Sequence, residues 1–284
     1  MKVWAAGMFA VGVLAWAPAH AFDWNVNEVA YWYGSTFREP GISKDGSARD
    51  IPKNVVSLSH ADGYALGTNF IDVDILKSSS ADPASGSSDG AVEVYVVDRQ
   101  DFSLTALTGS DRFRFGPIRD VMIEAGADIN TKNTAFESDK RMPVAGLAAQ
   151  FDVPAGYWKA AVLWDKEWNH NGITDRDVTF NSTLRLETAW DVPFALAGQR
   201  FTFEGYGIYN GPKGIDGFGD KMRSEVLIHS QVMLDVGSWF DHPGLLKVGG
   251  GFQYWLNKFG VDHTTTQGAL ESAPFARVAS EFRF

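Results

Sequence analysis

The stretch Ala273-Pro-Phe-Ala-Arg-Val-Ala-Ser-Glu-Phe-Arg-Phe284 decides the fold. Taken at every second residue, one side carries Ala276, Val278, Ser280, Phe282 and Phe284; the other carries Phe275, Arg277, Ala279, Glu281 and Arg283. That is a strand with an apolar face and a charged face, closing on an aromatic ring. Such an ending suits a last strand that must pair with the first, so that no row of unbonded N–H and C=O groups is left in lipid. An edge strand of a soluble β-domain is the other reading of this stretch, and the rest of the chain has to decide.

At the other end, Met1-Lys2 is followed by an apolar run from Val3 to Trp16, then Pro18 and Ala19-His20-Ala21. A basic start, an apolar core too short to span a bilayer and an A-x-A cleavage pattern predict a cleavable signal peptide over 1–21. Residues 22–284 then make one domain. An exported chain with no cysteine is held together by something other than disulfides, and a ring of strands closed by its own hydrogen bonds meets that need. The formal charge of -10 argues against nucleic acid as a partner. The 29 glycines and 38 aromatic residues (10 Trp, 8 Tyr, 20 Phe) lie in short alternating segments, as interfacial girdles of a membrane barrel require.

Taken in order, the alternation predicts strands at Trp24 to Gly34, Lys53 to Asp62, Leu66 to Lys77, Ala91 to Asp101, Ile118 to Asn130 and Pro143 to Asp152. Six more follow at Tyr157 to Trp168, Val178 to Asp191, Gln199 to Asn210, Arg223 to Val236, Leu246 to Asn257 and the closing stretch. Short Pro/Gly turns follow the second, sixth, eighth and tenth strands. Longer polar loops follow the first, third, fifth, seventh, ninth and eleventh, and only the connection after the fourth is long for a turn. That parity, with both ends on one side, is the pattern of a transmembrane antiparallel up-and-down β-barrel of about twelve strands, located in the cell outer membrane. A Lys or Arg facing lipid at mid-bilayer costs about 2–4 kcal/mol, so the charged faces must line the lumen. A ring of this size is wider than the eight-stranded kind that its own side chains fill.

The register points eleven candidates into that lumen: Tyr95, Glu124, Asp128, Arg185, Glu187, Glu204, Tyr206, His229, Gln231, Gln253 and Trp255. One reading is a weak multi-site solute path; the other is a cross-lumen salt-bridge network that stiffens the barrel. Tyr206 and Trp255 favour the path more than the charged residues do, because a lumen has little structural use for rings. His170 in Asn169-His-Asn-Gly and His263 read as solvated loop residues rather than metal ligands. Ile215-Asp-Gly-Phe-Gly-Asp220 lacks the spaced acids of a calcium loop. No metal or cofactor is expected. Lys213, Lys221, Arg223 and Lys258 are expected at the outer rim, placed to pair with lipopolysaccharide phosphates.

Several segments, in order, resemble the nucleoside-specific channel-forming outer-membrane family (Tsx-like/OmpK-type). They are Tyr33-Gly-Ser-Thr-Phe-Arg-Glu-Pro-Gly-Ile42, Gly67-Thr-Asn-Phe70, Phe115-Gly-Pro-Ile-Arg-Asp120 and Asn130-Thr-Lys-Asn-Thr-Ala-Phe136, then Lys166-Glu-Trp-Asn-His-Asn-Gly-Ile173, Gly211-Pro-Lys-Gly-Ile-Asp-Gly-Phe-Gly219 and Tyr254-Trp-Leu-Asn-Lys-Phe-Gly260. The resemblance implies a monomeric twelve-stranded barrel with a narrow pore for nucleosides. The Ser78–Gly90 loop departs from it as an insert, and the motifs lie nearer the OmpK-type branch of phage receptors, so no base- or ribose-contacting residue is carried over. The expected function is a passive channel for nucleosides or similar small polar solutes. The alternative is a surface receptor or adhesin, such as a phage receptor. A barrel enzyme is disfavoured, since no G-x-S-x-G or convincing Ser/His/acid trio is present. The expected partners are the solute, outer-membrane lipids including lipopolysaccharide, and the barrel assembly machinery engaging the strand that ends at Phe284.

Overall fold

The computed structural model describes residues 22–283; the expected signal peptide and Phe284 lie outside them. Fourteen strands form one antiparallel sheet. Two of these, Trp168–Asn171 and Arg176–Thr179, make a hairpin on one edge, and the other twelve close into a ring. We number the ring strands β1 Trp24–Phe37, β2 Ile51–Tyr64, β3 Gly67–Ser78, β4 Val92–Ser103, β5 Ile118–Lys132 and β6 Arg141–Phe151. The second half is β7 Tyr157–Asp165, β8 Thr183–Leu196, β9 Gln199–Asn210, β10 Glu225–Asp235, β11 Leu246–Leu256 and β12 Leu270–Phe282. Each pairs with its sequence neighbours. The ring is closed by β1 on β12, from Asn27 opposite Phe282 to Gly34 opposite Phe275, which leaves no free edge.

The pleat sorts the side chains as period two requires. On β12, Ala273, Phe275 and Ala279 face inward and are buried, while Val278 and Phe282 face outward and are exposed. Outward side chains across the ring are mostly apolar, such as Leu58, Ile123, Leu147, Val162, Leu186 and Val232. Aromatic rings gather at the short-turn end of the outer wall. Phe151 stacks on Trp158 at 4.3 Å and Phe194 on Phe201 at 5.4 Å, with Trp190 against Phe203 at 5.6 Å. That is the placement an interfacial girdle would require.

The turns expected after the second, sixth and eighth strands are short, but the connection after β10, residues 236–245, carries a 3-10 turn, Val236–Phe240, and is longer than the loop after β5, residues 133–140. The two-residue turn Ala197-Gly198 between β8 and β9 has φ of 51° and 76°, the positive pair that matches hairpin twist to that of the strands. The long connection after β4 holds a short helix, α1 Leu104–Thr108, whose first turn is capped by the Ser103 side chain accepting from the Ala106 N–H. A 3-10 turn, Asp111–Phe113, follows.

Two expected strands are corrected. The seventh leaves the ring at Asp165, and Trp168 belongs to the projecting hairpin. The eighth begins at Thr183 rather than Val178 and runs on to Leu196. Phe180, within the expected eighth strand, is instead buried outside it with the Lys213 ammonium 5.3 Å from its ring centre. Pro193 sits within β8 because β7 reaches only to Tyr157, opposite Asp191; beyond it β8 pairs with β9 alone, the edge setting in which proline is tolerated.

Candidate functional site

All eleven lumen candidates occupy inward register positions, in two groups on opposite walls. The first is ionic and spans β4 to β8. Arg99 on β4 reaches across the lumen to β8, with Nη2 2.6 Å from Glu187 Oε1 and 2.8 Å from Asp128 Oδ1 on β5. Arg185 on β8 donates from Nη2 to Asp128 Oδ2 at 3.0 Å and from Nε to Glu187. Lys159 on β7 lies 2.8 Å from Asp101 and 2.9 Å from Glu124. The Tyr95 hydroxyl donates to Asp128 at 3.2 Å and accepts from Lys140. Charges this deep are tolerable only when each has opposite charge and hydrogen bonds around it. The Arg185, Glu124 and Asp128 side chains are at most 2% exposed. These are the cross-lumen ion pairs that one of the two sequence readings expected.

The second group is aromatic and amidic and spans β9 to β1. The Tyr206 ring stacks on His229 at 5.2 Å, His229 on Phe275 at 4.6 Å, and Trp32 packs edgewise on His229 at 5.4 Å. His229 Nδ1 sits 3.3 Å from Gln253 Oε1, and Gln253 donates to Glu271 at 2.6 Å. Gln231 donates to Glu204 at 2.6 Å, and Trp255 Nε1 to Glu225 at 2.6 Å. That bond makes Trp255 part of the wall. Tyr206 is different, with 37% of its surface exposed inside the ring.

Sequence reasoning did not single out Asp72 and Asp74 on β3, or Arg277 on β12. Asp72 and Asp74 accept from Ser59 and Ser57 of β2 and keep partial exposure in the lumen. Arg277 pairs with Glu28. The signal was present, since Asp72 and Asp74 alternate with Ile71, Val73 and Ile75, but alternation gives only the face and not which acids lack a cationic partner. Among the described residues, Asp72, Asp74 and Glu204 are in no ion pair.

One mouth of the ring is tied by Glu39, just beyond β1. Its Oε1 lies 2.5 Å from Lys53 Nζ, 3.2 Å from Lys132 Nζ and 3.6 Å from Lys258 Nζ. Burial alone would raise the Glu39 carboxyl, but the charges of Lys132, Lys258 and Lys53 together hold it well below the usual carboxylate range. Lys258 also donates to Glu271 at 2.8 Å and to the Arg38 carbonyl at 2.7 Å. Two of the expected rim cations are thereby corrected. Lys258 is 1% and Lys213 4% exposed, Lys213 being paired with Glu167; both neutralise acids of their own chain and present no charge to a lipid phosphate. Arg223 is exposed but bonded to Asp262, which leaves Lys221 as the expected rim cation without an ion pair among the described residues. His170 pairs with Asp177 at 2.8 Å, and His263 Nδ1 contacts Asn257 at 2.7 Å.

No protein-family model and no curated protein sequence matches the chain. Solved structures do. An outer membrane channel from Pseudomonas putida F1 matches over 94% of this chain and 100% of its own, at 12% identity and a TM-score of 0.50. The KdgM porin in complex with disordered oligogalacturonate matches over 90% of this chain and 99% of its own, at 10% identity and a TM-score of 0.45. The translocator domain of the autotransporter NalP from Neisseria meningitidis matches over 94% and 90%, at 10% identity and 0.46. At such identities likeness speaks of architecture, and what the Pseudomonas putida channel shares with this chain is the closed antiparallel barrel of outer-membrane proteins.

Proposed function

We propose that the protein is an outer-membrane channel for passive passage of small polar solutes, and that nucleosides are among them. The observation that carries this reading is the uneven filling of the lumen. The Arg99–Arg185 side is occupied by buried ion pairs, whereas Tyr206 keeps 37% of its surface exposed near the partly exposed carboxylates of Asp72, Asp74 and Glu204. A planar base would stack on Tyr206, a contact worth about 1–3 kcal/mol, while ribose hydroxyls would donate to the acids. A few weak sites of this kind let a solute enter and leave. The ordered motif resemblance to the nucleoside-specific family supports the same substrate class. Contact of Lys221 with lipopolysaccharide phosphate, and docking of the closing strand on the barrel assembly machinery, belong to this reading.

A second reading, a surface receptor with little permeability of its own, is favoured by one feature: Glu39 and its three lysines draw loop and wall together at one mouth. Planar-bilayer conductance separates the two. For a nucleoside path, added nucleoside reduces the ion current in a concentration-dependent way, and Tyr206→Ala weakens that block by about 5- to 150-fold, the equivalent of about 1–3 kcal/mol. A current indifferent to nucleosides removes them as the solute, and a silent barrel leaves the receptor.

A further inference from the structure

The pleat that turns acids inward has two exceptions. Within the ring strands every acidic residue occupies an inward register position except Asp62 on β2 and Asp98 on β4. Both face outward, at the centre of a polar patch on the outer wall of β1 to β4. His60 has its two ring nitrogens on Asn27 Oδ1 at 2.8 Å and Asp62 Oδ2 at 3.1 Å, and Asn69 donates to both oxygens of Asp62. Gln100 donates from Nε2 to Asp98 Oδ1 at 2.9 Å.

The patch is not a rim. Along β4 the outward residues run Val92, Val94, Val96, Asp98, Gln100, Phe102, so the two polar groups are bracketed by apolar ones above and below. On the neighbouring strands Val29, Leu58 and Val73 continue the apolar row directly above the patch, and Ile71 lies within it between His60 and Asp98. If the barrel spans a membrane, as proposed above, these groups lie against hydrocarbon, where ionisable side chains are rare and mark a contact with something other than lipid. Beside them on β5 the outward residues are small: Ala127 is opposite Asp98 and Ala125 opposite Gln100. Small residues beside hydrogen-bonding ones are what membrane-embedded surfaces use to approach each other closely.

We propose that this patch joins two copies of the chain side by side about a two-fold axis along the membrane normal. The patch is its own complement. The Gln100–Asp98 bond uses one amide hydrogen and one carboxylate oxygen, so the second hydrogen of Gln100 can donate to the second oxygen of Asp98 in the other copy, and reciprocally. No second kind of protein is needed to satisfy it. The pair replaces the monomer that the motif resemblance implied.

The chain contains no cysteine, which makes the test direct. Ala125→Cys on the patch and Val232→Cys on the outward face of β10 are each reconstituted in phosphatidylcholine vesicles at low protein density and oxidised, after heat-modifiable gel mobility has established that the barrel is folded and inserted. The expected result is a disulfide-linked dimer several-fold more abundant for Ala125→Cys. Adding Asp98→Val and Gln100→Val to Ala125→Cys should return the yield to that of Val232→Cys while leaving the barrel folded. Equal yields from the two single-cysteine chains, or a yield unaffected by the valines, overturns the pairing while leaving the barrel reading intact. A chain that stays in buffer and does not insert overturns the membrane reading and the pairing with it.

Discussion

Arg185 shows what one side chain does for the interior. Its side chain is 2% exposed and it donates to Asp128, Glu187 and Asn210 through the fixed fork of a guanidinium. Arg185→Met would fill a similar volume but strip Asp128 and Glu187 of one of the two arginines that hold them. Breaking a buried pair from one side costs about 3–5 kcal/mol, and the unfolding midpoint in urea should fall accordingly; a shift too small to measure would mean that Arg99 alone suffices. Glu39 gives a pH dependence of defined sign. Its folded pKa is depressed, so its contribution is whole above the free glutamate value of about 4.3 and disappears as pH falls through the lower folded value. Amide exchange in the Arg38–Asp50 loop should therefore stay slow at neutral pH and accelerate below about pH 4. Glu39→Gln should make it faster at neutral pH and remove the acid limb.

At the scale of strands, the pairing of β1 with β2 rests on a local accommodation at the start of β1. Trp24 lies over Gly63, its partner on β2, so that a Cβ built on Gly63 would fall 2.0 Å from the indole Nε1. Gly63→Val must expel the ring or shift β2, and overpacking of this kind costs about 1–3 kcal/mol. The expected outcome is a lower melting temperature with indole fluorescence moved toward that of a solvated ring, and unaltered emission would place the ring elsewhere. Strand-level features were the most legible part of the sequence, because period two encodes the face directly: Arg277 and Glu281 read as inward and Val278 as outward from spacing alone. The misreadings came where spacing is silent. Trp168 and Val178 continue the alternation of their strands, yet the chain has already left the ring, and nothing in the pattern separates a wall strand from a hairpin above it. Lys213 and Lys258 lie in loops, and the acids that bury them, Glu167 and Glu271, are 46 and 13 residues away in sequence. Composition could place these lysines near a mouth but could not pair them. Nor did face alone reveal the outward patch, since Asp98 shares its spacing with Val96 and looks like an interruption until β3 and β5 are laid beside it.

For the whole molecule, the contact with the largest consequence is the chord from Arg99 on β4 to Glu187 on β8. It ties strands four apart across the lumen, and the exposed polar side chains lie instead on the side of Tyr206, Asp72 and Asp74. A barrel held by backbone ladders does not need that chord to stay closed, because every strand is already bonded on both sides. The chord's effect is on bore rather than on integrity. Removing one partner would leave the other charged and buried, whereas replacing both by neutral amides of similar shape removes the attraction at little cost. Arg99→Gln combined with Glu187→Gln should thus keep heat-modifiable mobility and raise single-channel conductance, as the two walls are released and water enters between them. Glu187→Gln alone should raise it less, because Arg99 keeps Asp128 at 2.8 Å. Because Asp72, Asp74 and Glu204 line the open side in no ion pair, the wider bore should stay selective for cations. A double variant with unchanged conductance would move the narrowest point to the Glu39 mouth, where Glu39→Gln then becomes the variant that opens the pore.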